Sequence, residues 1–157
     1  MKKNNAEYEF MNLLGKFFTE YLPTSMSASS NTIQSYKCAF RLLLQYLNEE
    51  TDVKIGHITF EMLDFDLLTN FFDWLVTSRK NSRTTAKQRM GALSSFAEYA
   101  QDRNLEAGYI FRSSLARISK KSFRRVKGKQ RCSFTRPELE ILFSLPDTSE
   151  KIGWRDL

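Results

Sequence analysis

Fifteen lysines and arginines fall in two stretches that contain no acidic residue. The longer runs from Arg112 to Arg136 and holds ten: Arg112, Arg117, Lys120, Lys121, Arg124, Arg125, Lys127, Lys129, Arg131 and Arg136. The shorter runs from Trp74 to Ala97 and holds Arg79, Lys80, Arg83, Lys87 and Arg89. Cations at this density, with no carboxylate among them, attract a polyanion and speed encounter with it. The whole chain has 24 basic and 18 acidic residues, a formal net charge of +6. Setting aside the ten charges of the longer stretch leaves −4 for the rest, so the basicity sits on a mildly acidic body. A charge run by itself reads equally well as a solvated linker. Two acid-free stretches, one of them within a predicted helix, favour nucleic acid.

Other reactive residue types are sparse. Cys38 and Cys132 lie far apart in different kinds of segment and read as reduced thiols. With His57 as the lone histidine they cannot build a Cys/His zinc cluster, and neither metal nor cofactor is expected. The six tyrosines (Tyr8, Tyr21, Tyr36, Tyr46, Tyr99, Tyr109) fall on helix stripes or their flanks, where packing explains them better than nucleophilic catalysis.

The elements that must position the cations read as helices. Hydrophobic residues make up 41% of the 157 residues, and thirteen Phe stand against six Gly and three Pro. That balance suits long regular elements with few tight turns and excludes a disordered chain. Residues 7–22 place Phe10, Leu13, Leu14, Phe17, Phe18, Tyr21 and Leu22 at helical spacing, with Pro23 expected to end the pattern. After a polar loop, Asn31 with Gln34 forms a capping box, with Ser29 and Ser30 as alternative caps. The following helix carries Ile33, Tyr36, Phe40, Leu43 and Leu47 on one side and Gln34, Lys37, Arg41 and Gln45 on the other. A connector leads to a helical region beginning at Thr59 and restarting at Asp64 or Asp66, with Leu67, Phe71, Trp74 and Leu75 inward.

The loop Lys80–Ser82 leads to a helix over about 84–103. Its stripe is Ala86, Met90, Leu93, Ala97 and Ala100, flanked by Phe96 and Tyr99. Its other side presents Thr84, Lys87, Gln88, Gly91 and Ser95, which is small, polar and cationic. Hydroxyls and free N–H groups at a helix start can bind phosphate, although an ordinary solvated face has the same composition. Asn104–Gly108 is expected to break the pattern before a short helix over 109–119 with Ile110, Phe111, Leu115 and Ile118 inside. The basic stretch Lys120–Arg131 reads as a linker. Beyond it, Thr135-Arg136-Pro137-Glu138 is a capping box opening a helix over 136–145. No apolar run approaches membrane-spanning length and MKKNNAEYEF lacks a leader's apolar region, so a cytoplasmic location is expected.

The order of these pieces resembles the N-terminal half of tyrosine recombinases, the phage-integrase family. SSNTIQSYKCAFRLLLQYL (29–47) is similar to the family's opening Thr-x-x-x-Tyr helix. FFDWLVTSRKNSRTTAKQRMGALSSFAEYA (71–100) resembles its Trp-Leu helix end, Ser-x-x-Thr turn and Arg-bearing helix ending in Phe-x-x-Tyr. The basic linker follows, and FTRPELEILFSLPDTSEKIGWRDL (134–157) is similar to the start of the family's catalytic domain. The likeness implies an all-α core-binding (SAM-like) bundle of four to five helices. It implies a domain over 1–119, an interdomain linker over 120–133 and the start of a catalytic domain over 134–157.

Double-stranded DNA is the partner that the likeness implies. The DNA-binding residues expected are Gln34, Lys37 and Arg41; Ser82, Arg83, Thr84, Thr85, Lys87, Gln88 and Arg89; and, in the linker, Lys120, Lys121, Arg124, Arg125, Lys127 and Lys129. The family breaks DNA with a tyrosine nucleophile assisted by arginines, a lysine and histidines. In the family the first of those arginines follows the Arg-Asp step, so Arg155 is not catalytic and no catalytic residue is expected here. The alternative is an interaction or inhibitory module. In that reading, Leu139, Leu142, Phe143 and Trp154 mediate self-association or pairing with a full-length recombinase.

Overall fold

The computed structural model describes residues 2–122, 135–137 and 140. The chain divides into a compact unit, Met1–Arg124, and a second unit, Arg125–Leu157. In the second, Arg136 and Glu140 pair at 4.0 Å across one helical turn. The rest of the helix expected over 136–145 lies outside the described residues, as does Cys132.

The first unit is an all-α bundle, and no strand occurs among the described residues. Its helices are α1 (Lys2–Lys16), α2 (Ser30–Glu50), α3 (Phe65–Thr77), α4 (Arg83–Arg103) and α5 (Leu105–Ser122). A π-helix, Phe17–Ser25, continues α1. Two 3₁₀ turns, Ile55–His57 and Phe60–Met62, join α2 to α3. Three helices start on a side-chain oxygen that satisfies one of the free N–H groups of the first turn. Ser29 Oγ accepts from the Thr32 N–H at 3.2 Å, which settles the choice of cap for α2. Asp64 Oδ1 accepts from Leu67 at 2.8 Å, and Ser82 Oγ from Thr85 at 3.1 Å.

Pro23 does not end the first helix; it lies inside the π-helix. In an α-helix its ring would collide with the carbonyl four residues back. The wider π turn shifts the pairing by one residue, as in the Met26 N–H bond to the Tyr21 carbonyl at 3.0 Å. The π-helix ends at Ser25, and the chain turns at Ser27, where φ is +47°.

The break after α4 is also shorter than expected, and α5 longer. Asn104 alone leaves helical geometry (φ −145°, ψ 105°). Its backbone N–H donates to the Ala100 carbonyl at 2.8 Å and closes α4, while its Oδ1 accepts from the Glu106 N–H at 3.2 Å and opens α5. Gly108 is not a breaker. It sits in α5 where that helix crosses α4, and a Cβ there would lie 2.4 Å from Gln101 Cα. Gly108→Ala is therefore expected to destabilise the protein by about 1–3 kcal/mol, despite alanine's better helix propensity. Urea denaturation followed by circular dichroism checks this through a lower midpoint.

The core is aromatic. Phe96 is fully buried at its centre, with ring centroids 5.3 Å from both Phe17 and Phe40, 5.7 Å from Phe10, 5.9 Å from Phe60 and 6.2 Å from Phe111. These rings come from α1, its π extension, α2, the second 3₁₀ turn and α5, so one α4 side chain meets five other elements. Ala86, Met90, Leu93, Ala97 and Ala100 are buried as the stripe predicts. Ile110 is not inside: it is 40% exposed, because the buried arc of α5 follows Gly108, Phe111, Leu115 and Ile118, a quarter turn away. Tyr46 and Tyr99 are buried, and loss of water raises the pKa of both phenols. Arg103 lies over the Tyr99 ring at 3.6 Å and donates to the Tyr99 carbonyl at 3.2 Å.

Candidate nucleic-acid interface

The start of α4 is held by the turn before it. Lys80 takes φ +50°, and the Asn81 N–H and side-chain amide both donate to the Leu75 carbonyl, at 2.9 and 3.0 Å. This fixes Ser82 at the cap, where its Oγ also meets Thr85 Oγ1 at 2.9 Å. The start of α2 repeats the arrangement, with Ser29 Oγ and Thr32 Oγ1 3.0 Å apart. Both helices thus open on a Ser-x-x-Thr clasp that leaves other first-turn N–H groups directed outward.

Residue 89 of α4 meets residue 38 of α2, and Ser95 Oγ meets Met26 Sδ at 3.9 Å just before α2. The two helices therefore run side by side in opposite directions. This sets the first turns of α4 beside the middle of α2. On α4, Arg83, Thr84, Lys87, Gln88 and Gly91 are exposed, and Thr85 is half-buried beside its cap. On α2, Gln34, Lys37 and Arg41 are exposed. Lys37, Arg41, Arg83 and Lys87 have no carboxylate partner among the described residues, so their charge remains available to a ligand.

Arg89 differs from its neighbours. It is half-buried, donating from Nη2 to Asn81 Oδ1 at 3.2 Å and from Nη1 to Cys38 Sγ at 3.6 Å. Its Nε is buried with no partner. It ties the loop, α4 and α2 together, and so positions the exposed cations around it. The signal was in the spacing: Arg89 stands three after Ala86 and four before Leu93, on the buried stripe.

Two cations of the longer basic stretch, Arg112 and Arg117, are engaged within the first unit. Arg112 pairs with Glu98 at 3.3 Å and donates to Gln101 at 2.7 Å, while Arg117 lies 4.2 Å over the Phe65 ring. The backbone of Lys120 and Lys121 belongs to the last turn of α5. Arg124, Arg125, Lys127 and Lys129 lie outside the described residues, as do Leu139, Leu142, Phe143 and Trp154. Among the described residues no helix is long and apolar enough to cross a membrane.

Gly91 is the unusual member of the exposed α4 face. A Cβ at this position would meet nothing within 4 Å. Nothing within the fold requires the glycine, and a glycine inside a helix costs about 0.5–1 kcal/mol relative to alanine. Gly91→Ala is expected to stabilise the protein by about that amount, opposite in sign to Gly108→Ala; thermal melts of the two variants check both signs.

Comparison with known proteins bears on these features. Residues 10–111 match the family model of the phage integrase SAM-like domain. Over 144 residues, 92% of this chain, the sequence is 32% identical to "Putative integrase/recombinase y4rC" of Sinorhizobium fredii. Over 84 residues, 54% of this chain, it is 32% identical to "Putative integrase/recombinase y4rD" of the same organism. The matches span only 42% and 30% of the lengths of those two relatives. No solved structure matches. The helical bundle, its order of elements and the match over most of the chain agree: the protein belongs to the phage integrase SAM-like domain family, the N-terminal domain of tyrosine recombinases.

Proposed function

We propose that this chain binds duplex DNA with little sequence preference, as the N-terminal half of a site-specific recombinase or integrase of a mobile element. In this reading residues 1–119 grip the duplex, residues 120–133 cross it as a linker, and residues 134–157 begin a catalytic domain. The observation that carries the proposal is the pinned start of α4. There Arg83 and Lys87 stand exposed with no carboxylate partner among the described residues, beside an α2 that presents Gln34, Lys37 and Arg41. Ser82, Thr84 and Thr85 offer hydroxyls for phosphate, and the helix start favours negative charge. Arg89 acts indirectly, holding α4 against α2. Resemblance assigns none of the family's catalytic residues to these 157 residues, so they bind without cutting.

Titration of a labelled duplex of about two helical turns, followed by anisotropy at several salt concentrations, tests this. About half of the fifteen basic residues touching phosphate gives a slope of log K against log salt of roughly −6 to −7. A slope near zero, or no binding at low salt, would defeat the proposal.

A further inference from the structure

Between α1 and α2 lies a cavity of about 670 Å³ whose chemistry differs from that of the α4 face. Leu14 and Phe18 line it from α1 and its π extension, Phe40 and Leu44 from α2, and Ile55 from the first 3₁₀ turn. Phe18 and Leu44 are only partly buried and Ile55 is 47% exposed, so apolar surface remains uncovered. Lys37 and Arg41, one turn apart on α2, line the same cavity and have no carboxylate partner among the described residues.

A duplex backbone can neutralise the two cations, but it has no apolar groups to set against Phe18, Leu44 and Ile55. Those side chains gain only from apolar contact, worth about 25 cal/mol for each Å² removed from water. An occupant that satisfies both halves of the groove carries apolar side chains flanked by carboxylates. An amphipathic helix with apolar residues at i, i+3 or i+4 and i+7, and acids beside them, has that form. A basic helix would set like charges against Lys37 and Arg41.

We propose that the α1–α2 groove docks an acidic amphipathic helix from another protein. Its apolar side chains lie on Leu14, Phe18, Leu44 and Ile55, and its carboxylates meet Lys37 and Arg41. The proposal does not rest on the duplex reading. It draws on two of the same cations, so on α2 the helix and a duplex compete, while Arg83, Lys87 and Gln88 on α4 remain open to DNA.

The test is selection of random peptides of about 16 residues against the immobilised 157-residue chain, followed by anisotropy with the enriched peptides. The expected peptides are net acidic, with apolar residues three and four apart, and become helical on binding. Their affinity falls at least about tenfold for the double variant Lys37→Glu/Arg41→Glu and for Ile55→Ser, both checked for native circular dichroism. Ile55→Ser leaves duplex affinity unchanged, which separates failure of this proposal from failure of the duplex reading. No enrichment, enrichment of basic or patternless peptides, or affinity indifferent to both variants would overturn it. A dimer in sedimentation that either variant dissolves would also overturn it, by making a second copy the occupant.

Discussion

Phe96→Ala is expected to lower the free energy of unfolding by about 3–5 kcal/mol. Two terms add. The transfer of a fully buried ring from water is lost, and the surrounding structure can only partly collapse into the space. Collapse is hindered here because the neighbours belong to different elements. Phe10, Phe17, Phe40, Phe60 and Phe111 approach from five segments, and none can follow the missing ring without leaving its other contacts. Edge-to-face contacts, as with Phe10 and Phe40 at an interplanar angle of 90°, add about 0.5–1.5 kcal/mol each beyond burial. A domain of this size has a total stability of about 5–15 kcal/mol. Equilibrium urea unfolding should show a much lower midpoint. Phe96→Leu, which refills most of the volume, should recover a large part of the loss. Equal loss in both variants would mean that ring geometry rather than volume governs the site.

Replacing Lys120, Lys121, Arg124 and Arg125 together by glutamine is expected to weaken binding to every duplex alike, by on the order of a hundredfold or more at moderate salt. It should also flatten the salt dependence by roughly three to four in slope. The effect is large because each cation that meets a phosphate releases condensed counterions, and four removed at once act on the same term. It is uniform because phosphates carry no base sequence. Substitutions at Thr85, Lys87 or Gln88, on the α4 face, should instead change the ranking of duplexes more than the slope. Anisotropy with a panel of unrelated duplexes at two or more salt concentrations measures both. An unchanged slope in the quadruple variant would remove the linker from the proposed interface.

Much of the bundle was legible because burial in it follows simple spacing. Ala86, Met90, Leu93, Ala97 and Ala100 recur at three and four. The caps Ser29 and Asp64 were each among the alternatives for a helix start, although Asn31 read ahead of Ser29 and Ser82 read as loop. The misreadings depend on packing or register that local spacing does not carry. Phe96 read as flanking because a narrow stripe suits a helix with one partner, whereas α4 packs against both α2 and α5 and is buried over a wide arc. Gly108 read as a breaker because its reason for lacking a Cβ is Gln101 on the facing helix. Pro23 read as a stop because the π register that accommodates it leaves no composition mark. The exposed cations Lys37, Arg41, Arg83 and Lys87 were legible from their positions opposite the stripes. The role of Arg89 was hidden by its charge, since its stripe position conflicted with its residue type. The cavity beside Lys37 was not legible, because Ile55 reaches it from a connector with no periodicity.

The joint at Asn104 has a consequence for how the molecule keeps to itself. Two helices of 21 and 18 residues are separated there by one extended residue, whose side chain accepts from the Glu106 N–H and donates to the Glu9 carboxylate of α1. A chain that lost this kink would run on as a single rod, and the flank of α4 that α5 now covers would lie open. The matching flank of the rod would be equally bare, so two such molecules could trade arms and close each other. Folding back on itself rather than reaching into a neighbour thus depends on this joint together with the close packing at Gly108 and Phe111.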